Sequence, residues 1–151
     1  MDYKKLFPIF ETHKELAYLD SAATNQKPEK VIKAIDEYNR KFNASPNRGS
    51  YGISVEATCQ YNQAKGKVAK FIGAKNTEII FVKSSTEGLN LLANSFSYEL
   101  TKEDNILVGI TSHHSNIVPW QEVRRRTGAE LRYIYLDKNG EFDYDDLESK
   151  L

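Results

Sequence analysis

Apolar positions along this chain fall into two rhythms, one of period near four and one of short unbroken runs. Val31, Ile35, Tyr38 and Phe42 recur at helical spacing. Pro28 stands just ahead of them, where a first-turn proline is tolerated. Residues 44–52 (Ala-Ser-Pro-Asn-Arg-Gly-Ser-Tyr-Gly) read as a loop. Ala57, Tyr61, Ala64, Val68 and Phe71 predict a second helix, ended by Gly73. Residues 78–82 read as a buried strand, and Lys83 to Thr86 as a short turn. Leu89, Leu92, Ala93 and Phe96 mark a helix beginning near Glu87. A second strand is expected at residues 106–110, then a loop at 111–115. Pro119 and Gly128 bracket a further helix, and residues 131–136 read as a third strand. A turn at 137–140 leads to an acidic stretch from Asp143, which suits the N-terminal end of a helix. That helix meets the end of the chain without a C-cap, so a truncated chain is expected.

Apolar strands alternating with helices imply a parallel sheet covered on both faces. Ligands in such sheets bind beyond the carboxyl ends of the strands. Two loops answer that description, residues 83–86 and 111–115.

Composition narrows the function classes. With 151 residues the chain has the length of one ordinary domain. A chain of this size buries roughly 68–70% of its unfolded surface. Apolar residues make up 40% and charged residues 28%, which excludes disorder as a description of the whole. Lys+Arg and Asp+Glu each number 21, so no global charge draws the chain to nucleic acid or an anionic membrane. The aromatic residues fall at core spacings rather than as a base-stacking platform. The one cysteine, Cys59, excludes an intrachain disulfide and fits a reducing, cytoplasmic setting. It reads as a small buried hydrophobe rather than a nucleophile. The start has no apolar signal region. The longest apolar runs are about five residues, against the roughly 20 that a membrane span needs.

Three places carry candidate chemistry. Ser84-Ser85-Thr86-Glu87-Gly88 follows a strand and opens a helix. Its N–H groups and hydroxyls suit a phosphate, or Ser85 or Thr86 simply caps the helix. No G-x-x-x-x-G-K-[ST] pattern is present, which argues against a nucleoside triphosphate loop. His113-His114-Ser115-Asn116 forms the second place. Adjacent histidines are expected to point apart, which makes a poor chelating pair, and no metal site is expected. An imidazole lying over a flat ligand is one reading; a loop histidine bonded to backbone is the other. The third place is residues 47–52. Its glycines allow close backbone approach, and Arg48 can pair with a carboxylate or phosphate; a plain surface loop is the alternative.

Taken together, these segments resemble one family. Tyr18 to Pro28 (Tyr-Leu-Asp-Ser-Ala-Ala-Thr-Asn-Gln-Lys-Pro) is similar to the opening of class V aminotransferase-fold enzymes. Arg48-Gly49, Ala57-Thr58 and residues 81–91 continue in register. His113 to Gln121 is similar to the Glu-His-His-Ala-Asn-Ile-Val-Pro-Trp-Gln run of Suf-type (group II) cysteine desulfurases and selenocysteine lyases. The resemblance covers essentially the whole chain.

The resemblance implies an α/β fold. It is the N-terminal part of the large domain of an aspartate aminotransferase-like, pyridoxal phosphate (PLP)-dependent transferase, mostly a parallel sheet flanked by helices. Residues 1–52 would form an N-terminal segment of strand, helix and Arg-Gly loop. Residues 53–151 would form the first part of the cofactor-binding domain. Ser85 and Thr86 match positions that hold the cofactor phosphate. His113 matches the histidine that stacks on the pyridine ring. Asn47 and Arg48 fall in a substrate or dimer-interface loop, and Asn116 and Gln121 have mainly structural roles. The implied activity is conversion of L-cysteine to L-alanine, with sulfur left as an enzyme persulfide for iron–sulfur or related supply. The implied assembly is a cytoplasmic homodimer that meets a sulfur-acceptor protein. The cofactor-bearing lysine, the aspartate facing the pyridine nitrogen and the sulfur-accepting cysteine lie later in full-length members. The 151 residues are therefore expected to be inactive alone, with apolar faces exposed.

Three departures surround the expected site. The family often has His-Arg-Gly-x-His where this chain has Asn47 to Tyr51. Its acid before the two histidines is Ser112 here, and its Arg-Gly before the hydroxyls is Lys83-Ser84. They motivate sister readings: selenocysteine lyase, transaminase, epimerase, or a non-catalytic protein of this fold.

Overall fold

The computed structural model describes residues 2–151; Met1 lies outside the described residues. The chain divides into two compact units, one up to Ile79 and one from Ile80 onward.

The first unit is helical. A 3-10 turn, Tyr3–Leu6, is capped by Asp2, whose carboxylate accepts the Lys4 N–H. The four-residue α1, Ile9–Thr12, follows. The strand expected in residues 1–52 is not formed among the described residues. The segment from Tyr18 to Thr24 instead turns on itself, with the Tyr18 hydroxyl donating to the carbonyls of Asp20 and Thr24. Helix α2, Glu29–Lys41, begins directly after Pro28, as its spacing predicts. None of its residues is buried in this unit; Val31, Ile32 and Ile35 are exposed.

Helix α3, Gly52–Ile72, is closed by Gly73 at φ 72°, a left-handed cap that glycine takes without steric cost. Its buried positions are Ser54, Ala57 and Ala69. The expected stripe through Ala64, Val68 and Phe71 faces outward, with Phe71 89% exposed. Cys59 is likewise exposed, not buried. It stands two residues from Ala57, roughly 200° around the helix and so on the opposite side. A 3-10 turn, Asn76–Glu78, ends the unit.

In the second unit, α4 (Ser85–Phe96) leads to strand β1 (Asn105–Gly109). A 3-10 turn, His114–Asn116, precedes α5, Val118–Thr127, with Pro119 in its first turn. Gly128 at φ 81° closes α5, as the sequence predicts. Strand β2 (Glu130–Ile134) runs parallel to β1, with Asn105 opposite Glu130 and Gly109 opposite Ile134. The β1–α5–β2 crossover is the connection that parallel pairing requires. Ala93, Ile106, Val108, Val123 and Ala129 form the core, with Leu100, Ile117, Trp120 and Leu131 against it.

The strand expected at 78–82 is not formed. Among the described residues the sheet has two strands, each pairing the other. A strand exists through its ladder, and an apolar run alone does not supply one. Ile79 is buried, whereas Ile80 is 72% exposed.

Helix α6, Tyr144–Lys150, is capped by Asp143 and clamped to the end of β2. The Lys150 ammonium bonds the Asp146 carboxylate at 2.7 Å and the Tyr133 carbonyl at 2.7 Å. The Tyr135 N–H donates to Asp146 at 2.9 Å. Lys150 first, then Tyr135, hold the Asp146 carboxyl below its ordinary value of 3.8. A folded-state pKa lowered in this way stabilises the fold above the unfolded value. That contribution is lost as pH falls through the folded value. The melting temperature is thus expected to drop between about pH 5 and about pH 2, and Asp146→Asn should flatten part of the drop. Identical melting profiles for the two proteins would refute the clamp.

Candidate functional site

Helix α4 starts one residue earlier than the capping alternative requires. Ser84, not Ser85 or Thr86, is the N-cap, and its hydroxyl accepts the Glu87 N–H at 3.2 Å. Glu87 in turn accepts the Lys83 N–H, so one acid of the first turn is already used. Ser84 sits at φ −161° and ψ 164°, extended backbone that any residue adopts. Ser84 therefore sits here without strain and supplies the cap. Ser85 and Thr86 are left in the first turn, where helical N–H groups lack intrahelical partners. Their hydroxyls are exposed and make no hydrogen bond among the described residues. Two free hydroxyls beside free N–H groups at the positive end of a twelve-residue helix form a donor set for an oxyanion.

The second loop is built from β1. After Gly109 the chain turns through Ser112, whose N–H donates to the Gly109 carbonyl at 2.9 Å. His113 then caps the 3-10 turn with its own ring, as Nδ1 accepts the Ser115 N–H at 3.2 Å. The bonded-to-backbone alternative therefore holds for Nδ1, while Nε2 has no partner among the described residues. The rings of His113 and His114 do not point apart. They stack with centroids 4.0 Å apart at 30°. His114 thus covers one face of His113. Asn116 and Gln121 have structural partners: Asn116 accepts from Trp120 Nε1 at 3.4 Å, and Gln121 donates to the Tyr133 hydroxyl at 3.1 Å.

These two loops belong together. The histidine turn packs against α4. Helix α4 leads back into β1, so its N-terminus lies toward the carboxyl end of that strand. This is the end at which parallel sheets place ligands.

Asn47 and Arg48 lie in the first unit. Asn47 has φ 59°, a left-handed conformation that asparagine tolerates better than most residues. Its N–H donates to Thr58 Oγ1 at 2.8 Å, Thr58 donates to the Ser54 carbonyl at 2.7 Å, and Ser54 donates to the Ser45 carbonyl at 2.8 Å. Ser54 is 0% exposed. This relay fixes the loop on the first turns of α3, a link not visible in the sequence because only hydroxyl spacing marks it. A Cβ on Gly49 would meet Tyr51 Cε1 at 2.5 Å and Ser54 Oγ at 2.9 Å, so a larger residue there would displace the Tyr51 ring and press on the buried serine. The Arg48 guanidinium is exposed, with no ion pair among the described residues.

The sequence model of the aminotransferase class-V family matches residues 17–151. The chain belongs to the aminotransferase class-V family. Within it, a protein named probable cysteine desulfurase from Halalkalibacterium halodurans is 42% identical over 155 residues, covering 99% of this chain and 38% of the relative. Another of that name from Vibrio cholerae is 48% identical over 129 residues, covering 84% of this chain and 32% of its own length. The apo structure of a cysteine desulfurase from Thermococcus onnurineus NA1 superposes with a TM-score of 0.89 at 37% identity, over 99% of this chain and 36% of that one. The class V fold expected from the sequence is therefore the fold of this chain. The chain spans little more than a third of the length of these relatives. No helix among the described residues is long and apolar enough to cross a membrane.

Proposed function

We propose that this chain is the N-terminal part of a PLP-dependent cysteine desulfurase of the Suf type. In this reading the whole enzyme converts L-cysteine to L-alanine and leaves the sulfur as a persulfide on its own cysteine. The observation that carries it is the pair of unpartnered hydroxyls, Ser85 and Thr86, at the start of α4, the helix against which the His113 turn packs. Relatives named cysteine desulfurase match the chain almost end to end, which supports the same reading.

The donor set fits a phosphate. Ser85 and Thr86 would hold it, and the face of His113 that His114 leaves uncovered would lie against the flat pyridine ring. When bound, the cofactor supplies an electron sink for the amino-acid substrate. Arg48, next to the Asn47 N–H that the Thr58–Ser54 relay anchors, would serve a substrate carboxylate or the facing subunit of a homodimer. The lysine, aspartate and cysteine of the covalent chemistry lie outside the third of the relatives that this chain matches. A sulfur-acceptor protein and a cytoplasmic setting belong to the same reading, as does division of the chain at residues 52 and 53.

The test is an assay of the whole enzyme with PLP, L-cysteine and a thiol reductant that discharges the persulfide as sulfide, following alanine and sulfide together. Equal amounts of both are expected. Asn47, Tyr51 and Ser112, which replace usual family residues, favour a sister reaction as the second reading. Transfer of the amino group to a keto acid without sulfur release would establish that second reading and overturn the first.

A further inference from the structure

We propose that Ser115 is a positioning residue that fixes His113 as the tautomer protonated on Nε2. The importance of this for a ligand rests on the functional reading above; the tautomer itself does not.

Two groups of Ser115 address one nitrogen. Its N–H lies 3.2 Å from His113 Nδ1, and its Oγ lies 2.8 Å from the same atom. A hydroxyl contact alone is ambiguous, because a hydroxyl both donates and accepts. The amide contact is not ambiguous. An amide N–H only donates, so Nδ1 must present its lone pair. The hydroxyl then turns to donate to Nδ1 as well, and the ring proton of the neutral imidazole falls on Nε2.

The consequence is a ring with one available nitrogen and one available face. Nδ1 is engaged by Ser115, and one face is covered by His114 at 4.0 Å between centroids. Nε2–H has no partner among the described residues. A ligand on the open face meets the π surface of His113, while Nε2–H, in the ring plane, donates to an acceptor at the ring edge. The matching run quoted for the Suf-type enzymes has alanine at this position. Ser115 here adds a hydroxyl to that run, and with it the shorter of the two contacts.

The test uses the whole enzyme labelled with 15N-histidine, without cofactor, under conditions where the nitrogen spectrum shows a neutral ring. The signal is assigned by its loss in His113→Gln. Nitrogen shifts are expected to show Nδ1 unprotonated and the Nε2–H tautomer in at least tenfold excess. Ser115→Ala removes one hydrogen bond and should lower that excess roughly two- to tenfold. Ser115→Thr should restore it. A wild-type ring protonated on Nδ1, or an excess unchanged in Ser115→Ala, overturns the proposal. Cofactor binding is read separately by absorbance. A protein with the expected tautomer pattern that binds no PLP keeps the role of Ser115 and overturns only the cofactor reading.

Discussion

Replacing Ser85 and Thr86 together by alanine is expected to weaken PLP binding to the whole enzyme by about two to four orders of magnitude. Each hydroxyl bonded to a charged phosphate contributes roughly 1.5–3 kcal/mol. Two of them amount to about 3–6 kcal/mol, and each 1.4 kcal/mol is tenfold. The helix itself should survive, because neither residue is its cap. Ser84 supplies that bond to Glu87 at 3.2 Å, and alanine is favourable in a first turn. The comparison variant is therefore Ser84→Ala. It should cost roughly 1 kcal/mol of stability while leaving both hydroxyls in place. Titration with PLP followed by absorbance separates the two effects. A double variant that binds cofactor like the wild type would remove Ser85 and Thr86 from the site. A Ser84→Ala variant with the larger binding loss would place the phosphate elsewhere in the turn.

That contrast also shows where the sequence was readable and where it was not. A hydroxyl just ahead of an apolar helical pattern signals a cap, but three consecutive hydroxyls leave the register open. The structure settles the register at Ser84, because its backbone is extended and the next residue is helical. Helix ends marked by glycine were fully legible. Gly73 and Gly128 close α3 and α5 at positive φ, where other residues are strained. The parallel pair β1 and β2 was legible because an apolar run and a mixed run carrying Leu131, Tyr133 and Ile134 stand on either side of a helix. The apolar run at 78–82 is not a strand, since pairing is a property of two segments. On α3, apolar spacing found Ala57 but not the rest of the buried face, since Ala64, Val68 and Phe71 are exposed. Ser54 is polar yet fully buried, and it earns that place by donating to the Ser45 carbonyl at 2.8 Å. The histidine pair departs from expectation for a related reason. Sequence adjacency says nothing about χ angles, and the capping bond from Ser115 turns the His113 ring onto its neighbour.

Val123→Asp is expected to have the largest effect on the fold. Val123 lies on α5 with 0% exposure and packs with Ala93 of α4, Ile106 and Val108 of β1, and Ala129. A carboxylate there has no cation to meet within that cluster. Stranding a charge in such a place costs about 3–5 kcal/mol, a large share of the 5–15 kcal/mol that holds a typical domain. Val123→Thr keeps the shape and adds only a hydroxyl, so its cost should be nearer 1–3 kcal/mol. Trp120, the chain's one tryptophan, packs against the same cluster and reports its state by fluorescence. The aspartate variant should show a solvent-exposed tryptophan at neutral pH, and acid should partly restore the native signal by neutralising the carboxyl. The threonine variant should keep the native signal with a lowered melting temperature. Because α4 and the histidine turn rest on this core, Val123→Asp should remove the hydroxyl pair and His113 from play together. The Ser85/Thr86 double variant, in contrast, loses binding with its core intact. A Val123→Asp protein with native fluorescence and an unchanged melting temperature would mean that α5 is not held by this cluster, and the two loops would then need another explanation for their shared position.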